Sequence, residues 1–231
     1  MLKNFDFDLL TFDCYGTLVD WETGIFSALK PVLANHEKSI PDAELLALYG
    51  EFEAEAESGE YQSYREVLGS VVRSLGKRLQ FTPTIKEVEA LPDSLPRWRP
   101  WPDTVQALKR FAQRYRLAII SNIDDDLFAI TQHYLGVEFH SITTAEQARC
   151  YKPGRRIFEM ALQKAKVTPN RILHVGQSIH HDVLPAQSLG LATVWVNRPS
   201  PRAGVGAVIP AEGKPDLEVR DLASLAQQAG C

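Results

Sequence analysis

Five short apolar runs set the strongest limit on what this chain can fold into. They are Leu9 to Asp13, Leu117 to Asn122, Ser141 to Thr144, Ile172 to Gly176 and Ala192 to Val196. Each suits a buried strand better than a helix, and most end in a small or polar residue. Stretches with helical spacing lie among them. Val105, Leu108, Phe111 and Ala112 form one, with Pro102 and Asp103 as its start signal. Ile157, Phe158, Ala161 and Leu162 form another. Strands alternating with helices imply a mostly parallel sheet covered on both faces.

One interval breaks the alternation. From about Asp20 to Arg99 the sequence predicts helices only: Gly24 to Asn35, Asp42 to Glu57, Glu60 to Leu79, and a short one near Thr84 to Leu91. In the second of these, Leu45, Leu48, Tyr49, Phe52 and Ala56 fall on one side. Its Glu51, Glu53, Glu55 and Glu57 read as a solvated face. PDSLPRWRPWPD closes the interval with four prolines and is expected to act as a stiff hinge. The expected fold class is therefore α/β, an α/β core at 1–19 and 97–231 with an all-helical insert at 20–96. Trp21, Trp98 and Trp101 lie near the expected hinges and read as packing residues.

Charge narrows the partners. The net charge is −4, with Lys and Arg spread along the chain, so no nucleic acid is expected as a partner. Arg149, Lys152, Arg155 and Arg156 make a local cluster suited to a small anionic substrate. Three cysteines, Cys14, Cys150 and Cys231, form no disulfide framework and read as reduced thiols. MLKNFDFDLL does not read as a signal peptide, and no run approaches the roughly 18 apolar residues of a membrane span. A cytoplasmic protein with no membrane partner is expected, with a homodimer through the insert left open.

The chemistry sits at the strand ends, where open parallel sheets bind ligands. The first run ends in Asp13, Tyr15 and Thr17. The second ends in Ser121 and Asn122. Lys152 follows the third in YKPG. The fourth leads into Gly176, Gln177, Ser178 and Asp182. His180 and His181 precede Asp182, but adjacent residues seldom face one centre, so no metal site is expected there. Asp124, Asp125 and Asp126 suit the start of the next helix.

DCYGTLVD, SN, YKP and GQSIHHD, in this order, resemble the four motifs of the haloacid dehalogenase superfamily. The resemblance covers nearly the whole chain. It implies a Rossmann-like parallel-sheet core with a helical cap inserted after the first strand, and Asp13 as a covalent nucleophile. Most members are magnesium-dependent phosphatases with a second Asp two residues after the nucleophile. Here Tyr15 stands at that position, and Gln177 stands where a further acid is expected. A phenol titrating at about pH 10 is a poor acid, and losing carboxylates weakens a hard-cation site.

Tyr15 with an intact GTL turn looks like the 2-haloacid dehalogenase branch, which needs no metal and no other cofactor. The resemblance then implies that Thr17 and Lys152 hold Asp13 ionised and aimed. Ser121 and backbone N–H groups around Cys14 and Tyr15 receive the substrate carboxylate. Asn122 helps receive halide, and Gln177 and Ser178 complete the substrate-binding set. Asp182 activates water or fixes Lys152. Two departures keep the substrate open: LLALYGEFEAE lacks the Arg that characterised dehalogenases carry early in the cap, and Ile179 stands where an Asn is expected. Two alternatives stay open, a small-metabolite phosphatase using Asp13 with magnesium and a non-catalytic binding protein of the same fold.

Overall fold

The computed structural model describes residues 5–198 and 206–231. Six strands form one parallel sheet: β1 (Leu9–Phe12), β2 (Arg116–Ser121), β3 (Ser141–Thr144), β4 (Ile172–Gly176), β5 (Ala192–Val196) and β6 (Leu217–Val219). Their order is β3-β2-β1-β4-β5-β6. β1 and β4 are buried along their whole length, which is why their sequences are mostly apolar, with Thr11 and His174 as the polar exceptions. The order reverses beside β1, so the carboxyl ends of β1, β2 and β4 open on one crevice.

The chain divides into two compact units. The helical one comprises 21–99 and, among the described residues, 206–209. It contains α1 (Trp21–Asn35), α2 (Asp42–Glu57), α3 (Tyr64–Leu79) and the single turn α4 (Ile85–Val88). Ser63 caps α3, which starts at Tyr64, four residues later than the expected Glu60. Its side chain accepts from Glu66 N–H while the Glu66 carboxylate takes Ser63 N–H.

Two expectations change in this unit. Glu53 does not belong to a solvated face: it is buried, and its Oε1 accepts from the hydroxyls of Tyr49 at 2.8 Å and Tyr64 at 2.6 Å. The segment expected to act as a hinge contains packed residues, and the boundary of the two units falls within it, after Arg99 rather than after residue 96. Pro92–Arg97 forms a 3-10 turn, and Leu91, Leu95 and Trp98 are buried. Trp98 Nε1 donates to Ser94 Oγ at 2.9 Å, so the helical unit runs on to Arg99. Trp21 packs edge-on against Tyr49.

The sheet unit adds α5 (Thr104–Ala112), α6 (Asp125–Leu135), α7 (Ala145–Ala148), α8 (Arg155–Ala165), α9 (Leu184–Ser188) and α10 (Leu222–Gln228). Asp103 precedes α5 but its side chain does not cap it. The carboxylate pairs instead with Arg198 and accepts from Leu222 N–H. β6 is the strand that sequence patterning omitted. Its three residues include Glu218, and it sits at the sheet edge, where a short charged strand is the usual solution.

Trp98 explains Gly24 on α1. A Cβ there would lie 2.3 Å from the Trp98 indole. Gly24→Ala is expected to cost about 1–3 kcal/mol of stability through overpacking, read as a lower urea midpoint at unchanged slope. A neutral or stabilising effect would contradict this packing.

Candidate active site

Asp13 immediately follows β1, and its N–H donates to Val175 O of β4. Lys152 reaches it from the segment after β3. The Lys152 Nζ lies 2.8 Å from Asp13 Oδ1 and 2.7 Å from Asp182 Oδ1. All three side chains are buried. One ammonium thus holds two carboxylates beside the carboxyl ends of β1 and β4.

Thr17 fixes the other oxygen of Asp13. Gln177 N–H donates to Thr17 Oγ1 at 2.8 Å. The Thr17 proton is directed to Asp13 Oδ2, at 2.6 Å. Both oxygens of Asp13 therefore accept, the bonding pattern of an ionised carboxylate. Burial and the Asp182 charge raise the Asp13 pKa, while Lys152 and Thr17 oppose that rise. Burial also acts on Asp182, but Lys152 and His174 prevail and hold it below the usual carboxylate range. The two carboxylates push Lys152 upward against desolvation.

The turn carrying these groups is tied down at consecutive carbonyls. Gly16 adopts φ 93°, a region that favours glycine. Its carbonyl accepts from Trp101 Nε1 at 3.0 Å. Arg198 Nε and Nη2 donate to Thr17 O at 3.0 and 2.9 Å. Leu18 O accepts from Trp101 N–H and from Thr104 Oγ1. After β4, Ser178 N–H donates to Asp182 Oδ2 at 3.1 Å. A Cβ at Gly176 would meet Asp182 Cγ at 2.4 Å, so this strand end needs glycine for the carboxylate to approach.

The remaining expected residues separate by geometry. Ser121 Oγ is buried and has no hydrogen-bond partner among the described residues, a cost of about 1–3 kcal/mol that a bound acceptor or donor would relieve. Asn122 does not present a free amide. Its Oδ1 accepts from Lys152 N–H at 2.7 Å and its Nδ2 donates to Lys152 O at 3.2 Å, so it clamps the lysine main chain. Tyr15 pairs with Thr131 Oγ1 of α6 at 2.8 Å, and burial raises its phenol well above the usual value. The Cys14 thiol is buried, and its pKa is likewise raised by desolvation.

Ser178 accepts from His181 N–H and caps the turn Ile179–Val183, so its hydroxyl serves the backbone. Gln177 O receives Trp195 Nε1 at 2.7 Å. Burial pushes His181 down to about 4. Among the described residues, no group of three or more His, Cys, Asp or Glu side chains could hold a metal ion. The expected basic cluster is dispersed: Lys152 is buried, whereas Arg155 pairs with Glu159 at the surface. No described helix is long and apolar enough to cross a membrane.

Sequence reasoning passed over His174, Asp103 and Arg198 as site residues. His174 lies inside an apolar run, where it read as part of strand β4. Its Nε2 is 3.3 Å from Asp182 Oδ1, and its Nδ1 is 2.9 Å from Thr11 Oγ1. Arg198 follows β5 and reaches Thr17 through a sequence separation of 181 residues that no local pattern signals.

Comparison with known proteins follows the same lines. The family described as haloacid dehalogenase-like hydrolase matches residues 7–190. An (S)-2-haloacid dehalogenase of Pseudomonas sp. (strain YL) is 25% identical over 231 residues, covering 94% of this chain and 92% of the relative. A glyceraldehyde 3-phosphate phosphatase of Methanothermobacter thermautotrophicus is 31% identical over 105 residues, 43% of this chain and 45% of the relative. The solved L-2-haloacid dehalogenase of Xanthobacter autotrophicus superposes with a TM-score of 0.79 at 20% identity, covering 97% of this chain and 98% of that one. This last likeness shows a shared fold.

Removing Lys152 leaves two facing carboxylates in a buried site. Lys152→Met is expected to cost about 3–5 kcal/mol at pH 7. Without the ammonium, the folded-state pKa of Asp13, already raised, rises further, and that of Asp182 rises above its unfolded value. The deficit is then full above those raised values and shrinks as pH falls through them. Urea denaturation at pH 7 and pH 5 checks this. An equal deficit at both, or none, would contradict the buried triad.

Proposed function

Because the chain belongs to the haloacid dehalogenase-like hydrolases, we propose that it hydrolyses the carbon–halogen bond of a small 2-haloalkanoic acid through an ester on Asp13. The observation that carries this reading is the Asp13 carboxylate itself. It is buried, both oxygens accept hydrogen bonds, and the neighbouring phenol of Tyr15 is turned to Thr131. Such a group is equipped to attack carbon and has no adjacent acid to protonate a leaving group. Halide needs none, because it departs as a stable anion.

In the first step an Asp13 oxygen forms a bond to the carbon bearing halogen. The carbon–halogen bond breaks and halide leaves with the electron pair. In the second, water adds to the Asp13 carbonyl carbon and the bond from that carbon to the ester oxygen breaks, one water proton passing to the departing oxygen and the other to solvent. A 2-hydroxy acid departs and the Asp13 carboxylate returns. Lys152 and Thr17 orient Asp13 in both steps. Asp182 fixes Lys152, and the unpartnered Ser121 hydroxyl is available to the substrate carboxylate. We place Gln177 and the backbone at Cys14 and Tyr15 in the substrate-binding set. Asn122 and Ser178 act one step behind it, through Lys152 and Asp182.

The phosphatase relative keeps a second reading in view, phosphate-ester hydrolysis on the same Asp13. That chemistry implies magnesium. The donors present fit it poorly: a hard cation seeks about six oxygen ligands, whereas Tyr15 stands where a second carboxylate is expected and its phenol is turned to Thr131. Gln177 adds no negative charge.

Each enantiomer of 2-chloropropionate, incubated with the protein in chelator, is expected to release chloride for at least one hand. Asp13→Asn should lower the rate by on the order of 10³-fold or more. No chloride together with magnesium-dependent phosphate release from a panel of phosphate esters would overturn the reading.

A further inference from the structure

His174 and Thr11 are register partners on adjacent parallel strands, so their side chains lie on the same face of the sheet. The His174 imidazole is buried with the Phe158 ring edge-on at a centroid distance of 5.3 Å. Its two nitrogens meet different groups. Nε2 faces Asp182 Oδ1 at 3.3 Å, and Nδ1 faces Thr11 Oγ1 at 2.9 Å. Asp182 is an acceptor held ionised by Lys152, so the proton between them belongs to Nε2. In the neutral ring Nδ1 then keeps a lone pair, to which the Thr11 hydroxyl donates.

The consequence reaches the nucleophile. Asp182 Oδ1 accepts from both His174 and Lys152, while Oδ2 accepts from Ser178 N–H. Three donors on three segments leave that carboxylate one orientation. Lys152, pinned at its main chain by Asn122 and at its Nζ by Asp182, has one place from which to meet Asp13. When Asp13 becomes an ester it loses its charge, and Asp182 is then the remaining carboxylate on the ammonium. The orientation of Asp182 matters most at that stage.

We propose that His174 is a positioning residue of this site: its Nε2–H, set by the Thr11 hydroxyl, fixes Asp182 and through it the Lys152 ammonium against Asp13. The assignment rests on Asp13 as nucleophile for its catalytic consequence, but its hydrogen-bond pattern stands apart from any substrate.

Two variants and one spectrum test it. His174→Phe keeps a ring against Phe158 and removes both nitrogens. His174→Gln restores an amide donor near the position of Nε2. With 2-chloropropionate as probe, His174→Phe is expected to lower kcat by about 10–100-fold, the size seen when groups behind a reacting centre are lost. KM should stay within about threefold, and His174→Gln should recover most of kcat. A normal kcat in His174→Phe, or a His174→Gln variant equally impaired while folded, would overturn the proposal.

Nitrogen-15 NMR of histidine-labelled wild-type protein reads the tautomer directly. The expected His174 signal carries its proton on Nε2, with Nδ1 unprotonated. A proton on Nδ1 alone would overturn the proposal whether or not the variants fold. If the wild type releases no chloride, the dehalogenase reading fails while the tautomer still decides His174.

Discussion

One ammonium between two buried carboxylates organises this molecule. Lys152 lies 2.8 Å from Asp13 and 2.7 Å from Asp182. Burying that much charge is favourable only when every partner is held in place. The sheet order supplies the holding. Placing β4 beside β1 brings Gly176 and the Asp182 turn to the Asp13 end of the sheet, and the segment after β3 delivers Lys152. Gly16 permits the turn that returns Thr17 to Asp13, and Arg198 fixes the Thr17 carbonyl. Gly176 gives Asp182 the room to approach. Removing any one of these is expected to shift a buried charge.

Much of this arrangement is written locally. β3, β4 and β5 begin and end where the sequence runs do, and in β4, buried throughout, polar alternation is not needed. Five of the six strands and the helical unit after β1 follow from the same patterning, and the short edge strand β6 does not. Asp13, Thr17, Lys152 and Asp182 converge because each lies at or just after a strand end, where polar residues interrupt apolar sequence.

What escaped the sequence has a common cause in distance. His174 is a polar residue inside a strand, and only the proximity of Asp182, eight positions later, gives it a role. Arg198 meets Thr17 across nearly the whole core. Glu53 fell on a face assigned to water because the hydroxyls that satisfy it come from its own helix and from Tyr64 on the next. Asp103 looked like a helix cap and instead holds Arg198 and the start of α10. Asn122 and Ser178 also complete backbone hydrogen bonds, to Lys152 and His181, that no local pattern signals.

The proposed chemistry asks little of these residues beyond position. A carboxylate nucleophile that already has both oxygens engaged must be freed only as far as the substrate carbon requires, and the ammonium beside it keeps it charged in a buried setting. The account stands or falls on a covalent bond to Asp13. A single turnover of 2-chloropropionate in heavy-oxygen water, with the protein in excess, measures this by mass spectrometry of the peptide containing Asp13. Heavy oxygen should appear first in the Asp13 carboxylate, leaving the first-formed 2-hydroxy acid unlabelled at its new hydroxyl. Label entering that hydroxyl directly, with Asp13 unlabelled, would contradict the account.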